Sequence, residues 1–383
     1  MTAIDRQQLI EYHCQHFGYV DHILAVPGRA NIIGEHTDYN GGLVLPFCID
    51  KHIWFTWSER NAAGHLNILS AQYCDFYISE NAFQQGSWQF FVHNFLKLCR
   101  EKKLPVKNLN ICFGGDLPIG AGMSSSSALV CGLIEVFDRS NTWSLTTIDK
   151  IKIASEVEHG AGVNGGLMDQ SVIFAGRKNH ALLIDCGDLS FEYVNIPDDW
   201  CFFLLDTNVK HNLVNTEYNR RRKICDTALE KMKVFRNTDF LCEWPIHEMD
   251  MLNHILSEEE FQKVSFVINE NQRVLEMKLA MKLNNMKLAG ELLNRSHQGL
   301  SYQYEVSTPE LDYLVNKANE YPEIFGSRMM GGGFGGGTIN LCRDSVDDEY
   351  INSIINSYLD AYHLPCTYYA LNTESGIAEQ TTA

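Results

Sequence analysis

The stretch that decides the fold is Pro118-Ile119-Gly120-Ala121-Gly122-Met123-Ser124-Ser125-Ser126-Ser127-Ala128-Leu129. It follows the apolar run 109–113, which is typical of a buried strand, and leads into the helical spacing of 128–137. A helix that begins in this loop directs its free N–H groups and the positive end of its dipole at the loop, where both attract phosphate. Glycine lets the backbone approach an anion, and serine hydroxyls add hydrogen-bond donors or a Mg²⁺ ligand.

A flexible serine-rich connector, with serine as the helix N-cap, is the alternative interpretation of this loop. The abrupt change to the apolar Ala128-Leu129-Val130 favours an ordered helix start. The loop is not a P-loop of the G-x-x-x-x-G-K-[ST] kind, because no lysine follows the glycines. Any nucleotide bound here must therefore have its phosphates held without that lysine.

Toward the N-terminus, the sequence PGRANIIGEHTDYNGG spans 27–42 between two predicted strands, 22–26 and 43–49. Sugar hydroxyls are both donors and acceptors, and a cluster of carboxylates and imidazole pairs with several of them at once. The side chains of this segment that suit a sugar are Arg29, Glu35, His36 and Asp38. The alternative is a solvated polar hairpin with an Asn-Gly turn. A metal site is disfavoured, because no second His or Cys completes a ligand set.

Toward the C-terminus, RMMGGGFGGG spans 328–337 and formally satisfies G-x-G-x-x-G at Gly331, Gly333 and Gly336. A dinucleotide site is disfavoured, because the loop leads into a predicted strand at 338–341 rather than into a helix. Six glycines in seven residues are entropically costly as a merely mobile loop. Close approach of the backbone to a phosphate-bearing ligand or to the neighbouring loop is a sufficient reason for them.

Two acidic residues lie between these segments. Glu158 ends a predicted helix, and Asp169 follows the two glycines of GGLMDQ, residues 165–170. The glycines give close access to the carboxylate, although an isolated Asp is more often a surface residue or a helix cap. The basic run 220–223 is most simply the solvated face of a helix.

Composition restricts the classes of function. The 383 residues include 31 Lys+Arg and 48 Asp+Glu, and the resulting formal net charge of −17 would repel a nucleic-acid backbone. The N-terminus lacks the apolar core of a signal peptide, and no apolar run is long enough to span a bilayer. The twelve cysteines form no CxxC pair or Cys/His cluster and are interpreted as reduced thiols. The sequence therefore predicts a cytoplasmic protein that binds neither nucleic acid nor a membrane.

Strand and helix patterns alternate in both halves of the chain. Strands are predicted near 52–58, 180–186, 201–206 and 367–371, and long helices near 220–234 and 258–300. This succession predicts an α+β fold with helices packed on sheet faces. We place a domain boundary near residue 187, giving an N-terminal domain 1–187 and a C-terminal domain 188–383, although no change in composition marks it.

In this order, the segments resemble the GHMP small-molecule kinases and, within them, the galactokinase family. PGRANIIGEHTDYNGG, PIGAGMSSSSAL, GGLMDQS, NTEYNRRRKIC and RMMGGGFGGGTINL are similar to five family motifs, over roughly residues 20 to 342. The resemblance implies a two-domain fold with mixed sheets flanked by helices and the active site in the interdomain cleft. It also implies phosphorylation of α-D-galactose at its C1 hydroxyl, with ATP as co-substrate, Mg²⁺ as cofactor and a monomeric enzyme.

The resemblance also implies roles for individual residues. Asp169 would accept or orient the C1 hydroxyl proton, while Arg29 would stabilise charge and keep that carboxylate ionised. The implied sugar-binding residues are Glu35, His36, Asp38, Gly166 and Tyr218. The implied ATP-binding residues are Gly120, Ala121, Gly122, Met123, Ser124, Ser125 and Ser126. The implied Mg²⁺ ligands are Ser126 and Glu158.

The chain departs from the family pattern at three places. Gly165 stands where the family commonly has cysteine, which favours an N-acetylgalactosamine kinase as an alternative, whereas Thr37 and Asn40 follow the galactose type. The spacing from Glu158 to Asp169 is one residue shorter than usual, and Ser127-Ala128 replaces the commoner Ala-Ser. A non-catalytic sugar sensor on the same scaffold is the alternative from another functional class.

Overall fold

The serine-rich loop lies between a strand and a helix, as predicted, in the computed structural model, which describes residues 3–59, 66–78, 81, 83–163, 165–209 and 214–380. The helices are α1 (Arg6–Phe17), α2 (Trp88–Glu101), α3 (Ser125–Asn141), α4 (Thr147–Gly160), α5 (Met168–Ala175), α6 (Val214–Met232), α7 (Glu258–Lys282), α8 (Met286–Gln298), α9 (Pro309–Ala318) and α10 (Asp348–Tyr362). The strands are β1 (His22–Asn31), β2 (Leu43–Val44), β3 (Pro46–Glu59), β4 (Asn67–Ser70), β5 (Asp75–Phe76), β6 (Leu109–Gly115), β7 (His180–Asp185), β8 (Ser190–Asn195), β9 (Trp200–Asp206), β10 (Ile324–Met330), β11 (Gly337–Arg343), β12 (Thr367–Leu371), β13 (Thr373–Glu374) and β14 (Ala378–Gln380). Strands and helices occur in both halves, which confirms the predicted α+β class.

Three sheets organise the described residues. The largest has the order β14-β1-β3-β6-β4-β5, with β13 also paired to β3, and only the β4–β6 pair in it is parallel. A second sheet has the order β10-β11-β9-β12, and a third has the order β2-β7-β8. Helix α3 packs on β1 and β3, so the loop before it lies against the strand that carries Arg29.

Two predicted strand boundaries differ from the structure. The strand predicted at 22–26 continues to Asn31, because a shift in register between Pro27 and Gly28 lets it bend and keep pairing with β3. The strands predicted near 43–49 and 52–58 form the short β2 and one long strand, β3, whose middle residues are only partly buried. The extended β1 carries Arg29 into the buried sheet rather than leaving it in a loop.

Residue 187 lies in the turn between β7 and β8, two strands that pair along their whole length. Two C-terminal strands, β13 and β14, return to pair with β3 and β1 of the N-terminal half. One apolar cluster includes Leu24 and Phe137 together with Leu292 and Ile339. The division at 187 stays a prediction, and hydrogen bonds and apolar contacts run across it. Within the described ranges, no helix has the length and apolar character required to cross a membrane.

Candidate active site

A cavity of about 200 Å³ brings the predicted sugar, catalytic and metal residues together. The predicted residues that line it are Arg29, Glu35, His36, Asp38, Ser126, Glu158, Gly166, Asp169 and Tyr218. They come from β1, the loop after it, α3, α4, the loop into α5, α5 itself and α6. Residues as far apart in the chain as Arg29 and Tyr218 therefore meet at one site.

An ion pair between Arg29 and Asp169 lies in this cavity. Arg29 Nε is 2.7 Å from Asp169 Oδ1, and Nη2 is 2.9 Å from Oδ2, which is a bidentate geometry. The Asp169 side chain is 24% exposed and stands in the first turn of α5, where the helix dipole favours a negative charge. Ser124 also donates to Asp169, and the Arg29 Nη1 group donates to the Gly122 carbonyl. The guanidinium thus connects the carboxylate to the serine-rich loop.

The polar loop after β1 is held in shape by its own side chains. Thr37 Oγ1 lies 2.8 Å from the Gly34 carbonyl oxygen and 2.7 Å from that of Leu43, which share its one proton, and Asn40 Nδ2 donates to the His36 carbonyl at 2.7 Å. These bonds satisfy backbone carbonyls that the turn leaves without strand partners. They present Glu35, His36 and Asp38 from a rigid loop rather than a mobile one.

Glu35 is fixed by a buried arginine. Glu35 Oε1 accepts hydrogen bonds from Nη1 and Nη2 of Arg328, both at 3.1 Å, and from the Gly331 N–H at 2.9 Å. Arg328 has no exposed side-chain surface and also donates to the carbonyls of Asn31 and Ile32. The pair joins the loop after β1 to the C-terminal glycine motif at the cavity wall.

Burial raises the pKa of two carboxyl groups at the cavity. The pKa of Asp38 is raised to about 7 by burial and by the charge of Asp169. The pKa of Glu158 is raised to about 7 for the same two reasons. Hydrogen bonds donated by Ser127, at 2.7 Å, and by Gln170 lower this pKa but do not cancel the rise. Two carboxyls at half-titration near neutral pH mark a site where a bound cation or hydrogen-bond donor would be favourable.

Gly166 meets Asp38 so closely that no side chain fits between them. The Gly166 N–H donates to Asp38 Oδ2 at 3.1 Å, and a Cβ at Gly166 would lie 2.3 Å from the same oxygen. A Cβ at the neighbouring Gly165 would meet no atom within 4 Å. The two glycines therefore differ. Glycine is required at 166 by the contact with Asp38, whereas Gly165 faces open space.

The two glycine-rich motifs contact each other through their backbones. Gly122 adopts a φ of +78°, and a Cβ there would lie 3.2 Å from the Met330 carbonyl oxygen. Helix α3 begins at Ser125, so the loop leads directly to the N–H groups of its first turn. The glycine content of the C-terminal motif predicts a close approach of its backbone to a ligand or to the neighbouring loop. The contact between Gly122 and Met330 is such an approach to the neighbouring loop.

The predicted ATP-binding residues are divided between surface and core. Gly120 lines a neighbouring cavity of about 320 Å³, together with Pro118 and Ile119. The side chains of Ala121 and Met123 are buried in the main apolar cluster, so they hold the loop in place and offer a ligand only their backbone.

Family models match at three places: the galactokinase galactose-binding signature at residues 11–59, the GHMP kinases N terminal domain at 90–177 and the GHMP kinases C terminal at 277–360. The galactokinase of Clostridium perfringens (strain 13 / Type A) is 35% identical over 363 residues, covering 92% of this chain and 94% of that protein. The galactokinase of Thermosipho africanus is 34% identical, covering 92% and 98%. The chain belongs to the galactokinase family.

Solved structures agree with this membership. Galactokinase from Lactococcus lactis, in a complex with galactose, superposes with a TM-score of 0.92 at 26% identity and covers 98% of this chain and 99% of that one. Mevalonate kinase from Methanococcus jannaschii, at 17% identity and a TM-score of 0.61, shares the fold. The resemblance to the GHMP kinases and the predicted GHMP-kinase fold are confirmed. As a family of kinases, galactokinases use ATP as co-substrate.

Sequence reasoning missed several residues of this galactokinase-family site. Arg328 and Gly331 stood in a quoted motif without an assigned role, and Gln170 followed Asp169 directly. Tyr304 was not singled out, although its hydroxyl reaches Tyr39 of the N-terminal loop. The signal for the first three was adjacency to a motif, whereas Tyr304 has no local signal because its partner is 265 residues away.

Proposed function

We propose that this chain transfers the γ-phosphoryl group of ATP to the C1 hydroxyl of α-D-galactose, giving galactose 1-phosphate and ADP. The observation that carries the proposal is the bidentate Arg29–Asp169 pair, placed between a polar sugar-binding loop and the start of α3. Sequence similarity to galactokinases over 92% of the chain supports the choice of sugar.

Asp169 is proposed to hold the C1 hydroxyl in line for attack, as a proton acceptor or as a fixed negative charge. Phosphoryl transfer depends mainly on positioning and charge stabilisation, so both roles need the carboxylate in one place. Arg29 and Ser124 fix it from two sides. Because its guanidinium also reaches the Gly122 carbonyl, Arg29 is proposed to stabilise charge on the transferring group.

The phosphates of ATP are proposed to lie at the start of α3, in the loop from Gly120 to Ser126. Backbone N–H groups of the first helical turn supply donors there without a lysine. For Mg²⁺ we propose Ser126 and Glu158, because Ser126 lines the cavity and the buried Glu158 carboxylate accepts a hydrogen bond from Ser127, the next residue of α3. Mg²⁺ bound by a carboxylate and substrate phosphates neutralises charge on the phosphates.

Glu35, His36, Asp38, Gly166 and Tyr218 are proposed to bind the sugar. Neither alternative function is favoured. The galactose-binding signature and the curated relatives support galactose over N-acetylgalactosamine, and Arg29, Asp169 and the serine loop together support catalysis over sensing. The monomeric state and the cytoplasmic location stay predictions from the sequence.

The test is Asp169→Ala. The variant should bind galactose and MgATP within a few-fold of the parent by calorimetry, because the sugar loop and α3 are unchanged. It should lose turnover by several orders of magnitude in an ADP-release assay. Asp360→Ala is the matched control, an acidic residue on the exposed face of α10 whose removal should leave turnover unchanged.

A panel of hexoses run with the parent protein separates the candidate substrates. Galactose should give the highest kcat/KM. A higher value for N-acetylgalactosamine, no ADP release with any hexose, or near-parental turnover by Asp169→Ala would each contradict the proposal.

A further inference from the structure

A line of hydrogen-bonding side chains connects His36 to the C-terminal half of the chain. His36 Nδ1 is 2.9 Å from the Tyr39 hydroxyl oxygen, which is 2.7 Å from the Tyr304 hydroxyl oxygen. The Tyr304 hydroxyl is in turn 3.2 Å from Cys225 Sγ. These side chains come from the loop after β1, α6 and the segment before α9, so the line depends on the folded molecule.

The imidazole of His36 is held neutral. Burial, together with the charges of Arg221 and Arg328, lowers its pKa to about 3, although the backbone of Gly332 acts in the opposite direction. A neutral imidazole carries one N–H donor and one acceptor lone pair, so the partner of one nitrogen decides what the other offers. Since Tyr39 occupies Nδ1, the function of Nε2 is set by the direction of the Tyr39 hydrogen bond.

Nε2 is the nitrogen without a partner. It is shielded from solvent and has no hydrogen bond to any described residue. Both His36 and Gly332 line the cavity, so a ligand in it lies against this ring. An orphaned buried polar group is destabilising until a partner arrives, which marks the nitrogen as one that a ligand completes.

We infer that the Tyr39–Tyr304 hydroxyl pair is a positioning device that donates to His36 Nδ1 and so fixes His36 with Nε2–H as a hydrogen-bond donor to one hydroxyl oxygen of the sugar. The inference rests on the proposed function, because it takes a hexose as the ligand of the cavity. Tyr304 donates to the Tyr39 oxygen, Tyr39 donates to Nδ1, and the proton of the ring stays on Nε2. His36 then donates to the sugar and does not accept from it.

This arrangement makes the tyrosine pair a determinant of specificity. A sugar that lacks an oxygen at the matching position leaves the Nε2–H group unpaired in a buried site. An enzyme discriminates against such a sugar more strongly than against one that lacks only a methyl group. Without the Tyr39 hydroxyl, the proton is free to move to Nδ1, and Nε2 then offers a lone pair in place of a donor. Removal of the hydroxyl of either Tyr39 or Tyr304 should therefore weaken sugar binding and leave the phosphoryl-transfer step intact.

The first experiment measures the tautomer without any turnover. Histidine labelled with ¹⁵N, together with His36→Gln to assign the signal, should show the proton on Nε2 in the parent protein. In Tyr39→Phe, the two ¹⁵N shifts should move toward each other as both tautomers become populated. A parent protein with the proton on Nδ1, or shifts unchanged by Tyr39→Phe, would overturn the inference.

The second experiment separates positioning from general stability. Tyr39→Phe and Tyr304→Phe should each raise the KM for galactose about 10-fold, from one lost buried hydrogen bond, and leave kcat and the KM for ATP within about 3-fold. Tyr313→Phe is the matched control, because its hydroxyl donates to the Ser357 carbonyl at 3.0 Å in another apolar cluster. A fall in kcat without a change in KM for galactose would argue against a positioning role.

The third experiment identifies the sugar oxygen by a thermodynamic cycle. The parent and Tyr39→Phe are compared on galactose and on its 2-, 3-, 4- and 6-deoxy derivatives. For one derivative the Tyr39→Phe effect on kcat/KM should vanish, since the oxygen that His36 contacts is already missing. An equal loss on every sugar would overturn the inference. If the parent phosphorylates no hexose, the proposed function fails, while the tautomer measurement still tests the tyrosine pair.

Discussion

At the scale of single residues, Glu158 gives the site a measurable dependence of stability on pH. Its pKa is raised from 4.5 to about 7 by burial and by Asp169, so between these values the folded protein holds a proton that the unfolded chain has released. The folded state therefore binds more protons than the unfolded state in this range. As a result, the free energy of unfolding falls as pH rises from about 5 to about 7. Glu158→Gln should flatten this decline and be more stable than the parent at pH 8.

Thermal melting of the ligand-free protein from pH 5 to pH 8 measures the effect. Asp38 contributes a decline of the same sign, so Glu158→Gln should reduce the slope without abolishing it. Glu156→Gln is the control, a neighbour on α4 whose side chain is 47% exposed and paired with Lys102. A pH profile of Glu158→Gln parallel to that of the parent would contradict the assignment of the raised pKa.

Residue-level prediction worked where chemistry is local and failed where it depends on distant partners. The carboxylates and imidazole of 35–38 indicate sugar binding because their spacing is visible in the sequence. The contact of Arg29 with Asp169 followed from a resemblance and not from any periodicity. Arg328 was missed because the partners of its buried guanidinium, Glu35 and the carbonyls of Asn31 and Ile32, approach it only after folding.

At the scale of elements, periodicity predicted the long helices and most of the buried strands, but it missed the buried strand β10 and short strands such as β4 and β5. The long strand β3 was divided in two because its middle residues, 50–52, are polar and partly buried. Strand β8 exposes half of its residues and β13 has only two residues, so neither carries an apolar run. Such strands form because a neighbour supplies their hydrogen bonds, and a single sequence does not contain the position of that neighbour.

The glycine motif after β10 offers a test of close backbone approach. Gly333 has a φ of +83°, and a Cβ there would lie 2.2 Å from the Val306 carbonyl oxygen. Gly86 has the same φ of +83°, yet a Cβ there would meet nothing within 4 Å. Gly86→Ala should therefore cost about 1–2 kcal/mol of stability from the left-handed backbone alone. Gly333→Ala should cost more, because the clash adds to the same backbone strain.

Urea denaturation of both variants isolates the steric part as their difference. Gly333→Ala should also lower kcat/KM, since the displaced loop carries Gly331, whose N–H group binds Glu35. Gly86→Ala should leave kcat/KM unchanged. Equal losses of stability in the two variants would mean that the loop moves away from Val306 without resistance.

At the scale of the whole molecule, the C-terminal segment returns to the sheet of the N-terminal half. The edge of β1 is paired with β14, and the backbone N–H groups of Gly376 and Ile377 donate to the carbonyls of Gly176 and Ile173. The C-terminal segment therefore completes the sheet that carries Arg29. Because apolar residues from both halves also form one cluster, the active site depends on contacts that cross residue 187.

This continuity predicts that the whole chain unfolds in one cooperative transition. A fragment of residues 1–187 would leave the β1 edge and the β8-facing edge of β7 without partners and would expose the part of the cluster that α8 and β11 cover. Unpaired edges and uncovered apolar surface favour aggregation over folding.

The fragment alone should lack a near-ultraviolet circular dichroism signal, whereas co-expression with 188–383 should restore both the signal and ADP release, since the lost contacts are non-covalent. Two separate melting transitions in the full chain, or a folded 1–187 fragment, would show instead that the halves are independent domains and that the C-terminal strands contribute little to the sheet on which Arg29 stands.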